Sequence, residues 1–183
     1  ANPRYVDSEM PAALASAGVN RLVIGAQSFD ENNLHLLGRR HGPDDVAAAF
    51  ESFLQAGIDT VGIDLIFGVP GASLETWQRD ITTALSPGPK HLSAYLLTVE
   101  PGTPLADDMA AGRIAAGEDD LVREMYDQGV RILSDAGYEH YEISNFCMPG
   151  HRCEHNLVYW RNDEYIGLGP SAASYYAGVR RRN

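Results

Sequence analysis

Residues Thr60 to Phe67 (TVGIDLIF) constrain this chain more than any other stretch. The run is apolar at consecutive positions, with one acid, Asp64, inside it. A strand with one wet face alternates apolar and polar residues, whereas a strand covered on both faces does not need to. The run therefore predicts a strand in a parallel sheet packed between layers. Arg21 to Ala26 (RLVIGA), His91 to Val99 (HLSAYLLTV) and Tyr138 to Ile143 read as further strands.

Helical periodicity fills the gaps between them. Asp7 to Ala17 reads as a helix after a turn at Pro3, and Leu34 to Leu37 as a helical turn. Asp44 to Ala56 places Val46, Ala47, Phe50, Phe53 and Leu54 on one face, with acids at its positive end and Gly57 at its stop. Ser73 caps a helix that turns Leu74, Trp77, Ile81, Ala84 and Leu85 inward. A loop spans Pro101 to Pro104. Asp119 to Ala136 aligns Val122, Met125, Tyr126, Gly129, Ile132 and Leu133, and Gly137 ends it. Strand and helix in alternation give an α/β fold with a parallel sheet. Residues 1–183 show no internal boundary and read as a single domain. Residues 144–164 read as irregular, a length that in a compact domain signals function or contact with a further domain.

Totals exclude some functions. Lys and Arg number 14 against 25 Asp and Glu, a net charge of −11, which argues against nucleic acid as a partner. Two cysteines, Cys147 and Cys153, make no disulfide scaffold and suit a reducing cytoplasm. No apolar run approaches the ~20 residues of a membrane span, and no signal peptide is visible. The chain starts at Ala1 and reads as a fragment.

In parallel α/β folds, ligands sit beyond the carboxyl ends of the strands. Gln27 leaves the first strand, Asp64 lies within the second, and the third exits at Thr98. An amide and a carboxylate on adjacent strand ends suit vicinal hydroxyls, and the alternative for Gln27 is simply to pin a turn. Asp64 has an equally good structural role, satisfied by backbone amides or a neighbouring Arg. Arg39 is either a surface residue or a bidentate clamp for a carboxylate. Gly167-Leu-Gly-Pro-Ser171 lacks the third glycine of a dinucleotide fingerprint and reads as a tight turn that lets a ligand approach. Cys147, His151, Cys153 and His155 fall within nine residues, but their spacing matches no ordinary structural zinc pattern. Local zinc binding is the alternative to chance proximity there. His155-Asn-Leu-Val-Tyr-Trp160 gathers an imidazole and two large aromatics, a grip suited to a flat, iron-bearing ligand.

These motifs, in order, resemble the radical S-adenosylmethionine proteins related to oxygen-independent coproporphyrinogen III oxidase. The segments are Arg21-Leu-Val-Ile-Gly-Ala-Gln-Ser-Phe29, Leu36-Leu-Gly-Arg39 with His41, and Gly62-Ile-Asp-Leu-Ile-Phe-Gly-Val-Pro-Gly71. His91 to Pro104, Gly137 to Phe146, His155 to Trp160 and Gly167 to Ala172 complete the match. The His-Asn-x-x-Tyr-Trp form resembles the haem chaperone branch; the alternative is the oxidase, which decarboxylates coproporphyrinogen III to protoporphyrinogen IX.

The resemblance implies the later strands of a partial (β/α)6 TIM-like barrel. It implies that Gln27, Arg39 and Asp64 contact S-adenosylmethionine, with Thr98 and Ala173 lining it less specifically. Arg39 would take the methionyl carboxylate and Asp64 the polar nucleoside edge. His155 is the implied haem iron ligand, with Tyr159 and Trp160 covering a porphyrin face. The implied partners are haem or a porphyrinogen and haem-acceptor proteins. The family's Cys-x3-Cys-x2-Cys motif for a [4Fe–4S] cluster is not in this sequence, so the fragment alone is expected not to reduce S-adenosylmethionine. Ala173 stands where many chaperone-branch members have His. The early glycine-rich segment and the C-terminal domain are likewise expected to be missing. An open barrel edge makes a homo-oligomer the expected state.

Overall fold

Thr60–Phe67 forms strand β2, flanked in parallel by β1 (Arg21–Gln27) and β3 (His91–Leu96). The computed structural model describes residues 1–183. Its five-stranded sheet has the order β1-β2-β3-β5-β4, where β4 is Glu139–His140 and β5 is Asn145–Cys147. The helices are α1 (Met10–Ser16), α2 (Glu31–Leu36), α3 (Pro43–Gln55), α4 (Leu74–Leu85), α5 (Pro104–Ala110) and α6 (Asp119–Asp135).

The parallel expectation fails at one edge. β5 pairs antiparallel with both β3 and β4. No crossover helix separates β4 from β5, and a connection as short as Tyr141 to Ser144 can join only antiparallel neighbours. The strand expected over Tyr138 to Ile143 is accordingly cut to two residues. The loop expected at Pro101–Pro104 runs straight into α5, whose first turn Thr103 caps through Ala106 N at 3.2 Å and whose first residue is Pro104.

The two faces of the sheet differ in chemistry, as their register shows. Ile24, Ile63, Leu92 and Phe146 stand on one rung, each at most 1% exposed. They join Phe53, Trp77, Ile81, Met125 and Leu133 from α3, α4 and α6 in the core. Burying each such side chain stabilises the fold by roughly 1.5–3 kcal/mol. The Trp77 indole finds its buried partner in Met125 O at 2.7 Å. One residue along, the next rung reads Gly25, Asp64, Ser93, Asn145 and faces the other way. Both faces of β2 are buried at Val61, Gly62 and Ile63, but Asp64 and Ile66 are half-buried. The apolar run is therefore doubly covered over only part of its length.

The chain divides into two compact units, Ala1–His151 and Arg152–Asn183. The second holds helix α7 (Glu154–Trp160) and a hairpin of β6 (Ala173–Tyr176) and β7 (Val179–Arg182). Ala177 and Gly178, with φ of 50° and 74°, supply its two-residue turn. Glu154–Trp160, expected as irregular, is helical. Its seven residues combine weak helix formers with one buried apolar residue, Leu157, so periodicity had little to register.

Candidate functional site

Gln27 ends β1 in a left-handed conformation, with φ of 67°. Ser28 N donates to Ala26 O at 2.8 Å across it, so three residues close a γ-turn with Gln27 at its apex. The turn folds the Gln27 side chain back over Gly25. A Cβ at position 25 would lie 2.6 Å from Gln27 Nε2. Gly25 is the register partner of Asp64, so amide and carboxylate occupy neighbouring strands on the same face.

Asp64 lies beside Ser93, its register partner on β3. Burial pushes its carboxyl above the usual carboxylate range, and the Ser93 hydroxyl pulls part of that back. Ser93 Oγ donates to Asn145 Oδ1 at 2.7 Å, and Asn145 Nδ2 donates to Glu142. Glu142 also accepts from Ser144 N at 3.0 Å. Asp64 thus neighbours a hydroxyl on β3 whose proton goes to Asn145, where backbone amides or an Arg were the expected structural partners. Ser93, Glu142 and Asn145 went unassigned in the sequence because only strand pairing brings them to Asp64.

Arg39 and Thr98 meet at the end of β2 and β3. Both line a cavity of about 590 Å³ with Ile66, Val99, Glu100 and Leu105. Ile66 follows Asp64 on the same face of β2, so Asp64 sits one step below this cavity. Arg39 is exposed and takes part in none of the ion pairs. Its guanidinium is therefore available to an anionic group.

In the second unit, α7 exposes one edge. Tyr159 is 46% and Trp160 54% exposed. His155, one turn before Tyr159, stands at 2.9 Å from its hydroxyl through Nε2, ring edge to ring face at 4.9 Å. Tyr159 in turn meets Tyr165 at 4.7 Å. Ala173 is exposed at the start of β6. Gly167 makes room for its own chain: a Cβ there would overlap the Ala173 carbonyl. Cys147 is buried in β5, and no group of three or more His, Cys, Asp or Glu is placed to hold a metal ion.

Residues 1–84 match the family model "Radical SAM superfamily". The chain is 38% identical to the Heme chaperone HemW of Synechocystis sp., over 98% of this chain and 43% of that protein. With the Heme chaperone HemW of Bacillus subtilis it shares 39% identity, over all of this chain and 48% of that protein. The chain thus spans about half the length of the relatives it matches. Among solved structures, the radical SAM coproporphyrinogen III oxidase HemN of Escherichia coli superposes with a TM-score of 0.77 at 21% identity, over 94% of this chain and 42% of that one. The likeness shows the fold: a mixed α/β arrangement around a parallel sheet, of the radical SAM barrel type.

The superfamily model matched by residues 1–84 implies S-adenosylmethionine and a [4Fe–4S] cluster. The first group fits the residues present, since a half-buried carboxylate, an amide, a free guanidinium and a hydroxyl lie along one rim. The cluster does not fit them: two cysteines in separate units, one fully buried, cannot supply three thiolates.

Proposed function

We propose that this chain is the S-adenosylmethionine-gripping and haem-gripping part of a radical SAM haem chaperone, which passes haem to acceptor proteins. The observation that carries the haem reading is the exposed edge of α7, where His155 stands beside Tyr159 and Trp160. An imidazole supplies an axial ligand and exposed aromatics supply a face for a porphyrin. The names of the two relatives support the same reading. Residues 144–164 are its haem segment.

On the strand rim, Asp64 and Gln27 take the polar nucleoside edge, Arg39 clamps the methionyl carboxylate, and Thr98 lines the same cavity. Ala173 is carried as a further cofactor-lining position by motif alone. Bound S-adenosylmethionine supplies one-electron chemistry in this superfamily; the residues here bind and orient it. The Tyr159 hydroxyl orients the His155 ring through Nε2, and His155 would hold the haem iron as an imidazole ligand. No helix is long and apolar enough to cross a membrane. The protein acts in the cytoplasm, where its two cysteines, joined in no disulfide, stay reduced, and it self-associates.

Haem titration of the full-length protein tests this, beside a coproporphyrinogen turnover assay. His155→Ala is expected to weaken haem binding by about tenfold or more and to shift the Soret band, by analogy with loss of a metal's protein partner. Turnover of coproporphyrinogen without haem binding would instead establish the oxidase.

A further inference from the structure

The strained turn at Gln27 is gripped from behind by buried polar groups that the proposed site does not use. Asp80, on α4 and 1% exposed, accepts from Ser28 Oγ at 2.5 Å and from Phe29 N at 2.7 Å. Ser28 Oγ in turn accepts from Asn33 Nδ2 at 3.2 Å and from Asp30 N at 3.1 Å. On the other side, His41 Nε2 donates to Ala26 O at 2.8 Å, the same carbonyl that closes the turn. Ser28, Asn33, His41 and Asp80 are each at most 5% exposed.

A buried carboxylate is costly, and an apolar residue in α4 would fill the same space without that cost. A γ-turn with positive φ at a non-glycine residue is also costly, and persists only where its surroundings over-determine it. Here the two costs meet. The residues before and after Gln27 are both held by side chains from outside the turn, leaving the apex residue one conformation.

We propose that Asp80, through Ser28, and His41, through the Ala26 carbonyl, are positioning residues for cofactor binding: they lock Gln27 in the γ-turn that lays its amide over Gly25, beside Asp64. This rests on the reading of Gln27 as a contact to S-adenosylmethionine. With the clamp loosened, the turn relaxes and only a fraction of molecules present the amide. Apparent affinity falls by that fraction, about 5- to 150-fold for the usual cost of such a conformer.

The test is a double-mutant cycle on the full-length protein with its cluster reconstituted, reading S-adenosylmethionine affinity by calorimetry and stability by thermal melting. Gln27→Ala alone should weaken binding. Asp80→Asn keeps an acceptor for Phe29 N but loses the bond from Ser28, and should weaken binding in the Gln27 protein and not further in the Gln27→Ala background. A role confined to stability would lower the melting point equally in both backgrounds and leave affinity unchanged or additive, which overturns the clamp while Gln27 keeps its role. If Gln27→Ala binds normally, the reading of Gln27 fails and the clamp proposal falls with it. Should Asp80→Asn not fold, Ser28→Ala and His41→Gln loosen the same turn from its two sides and carry the same expectation.

Discussion

Gly25→Ala separates folding from function at this site. The new Cβ would lie 2.6 Å from Gln27 Nε2, with its other nearest neighbours at 3.7 and 3.8 Å, which is ordinary contact. The one clash is with the far end of a flexible side chain. Gly25 is not among the residues with positive φ, so alanine suits its backbone. Replacing glycine in a compatible conformation stabilises by about 0.4–1 kcal/mol, through the unfolded chain. For a chain of this size that is a melting point about 1–4 °C higher. The same methyl group evicts the Gln27 amide from its place beside Asp64. An amide making two hydrogen bonds to a ligand, each worth about 0.5–1.5 kcal/mol, gives about 1–3 kcal/mol in all. The expected loss is then about 5- to 150-fold in S-adenosylmethionine affinity. Circular dichroism melting and isothermal titration of the reconstituted full-length protein read the two effects separately. A melting point lower by 5 °C or more, on the order of 2 kcal/mol, would show that the methyl group meets the fold itself. Unchanged affinity would show that the amide does not serve the ligand from over Gly25.

Burial first, and the nearby Arg21 second, push the His91 imidazole down to about 4 from its usual 6.5. The unfolded chain then binds a proton that the folded one refuses, so stability present above pH 6.5 is lost as pH falls toward 4. The loss is roughly 3 kcal/mol, and urea unfolding at pH 7 and pH 4.5 should show it in the wild type and not in His91→Gln. Asp64 shifts the other way: burial raises its carboxyl, so its contribution is full below the ordinary carboxylate value and is lost as pH rises through the folded one. Asp64→Asn should therefore raise the melting point at pH 7, leave it unchanged at pH 3, and weaken S-adenosylmethionine binding; an unchanged melting point at pH 7 counts against the burial cost. Leu133→Ala, at a position with no exposure, should cost about 2–5 kcal/mol in equilibrium unfolding. A cost below 1 kcal/mol would mean that α6 does not pack as described.

The central sheet was legible because its evidence is local. Apolar runs such as Arg21 to Ala26 and Thr60 to Phe67 announce buried strands, and the spacing of Val46, Phe50 and Phe53 announces a helix face. Where that spacing thinned, legibility ended. Helix α7 carries one buried residue, Leu157, and β5 is only three residues long.

Taken alone, the sequence determined which residue types were available and on which strand ends: Gln27, Asp64 and Thr98 along one rim, Arg39 on the connection after Gln27, His155 far down the chain. Only the tertiary structure decided which of them meet. Strand alternation sends Asp64 to the face opposite Ile63, and register sets it beside Gly25 and Ser93 rather than beside an arginine. Ser28, next to the γ-turn apex at Gln27, donates to Asp80, a residue 52 positions later on α4. A hydrogen bond between residues so far apart depends on strand pairing and helix docking, and neither leaves a periodic mark on the chain.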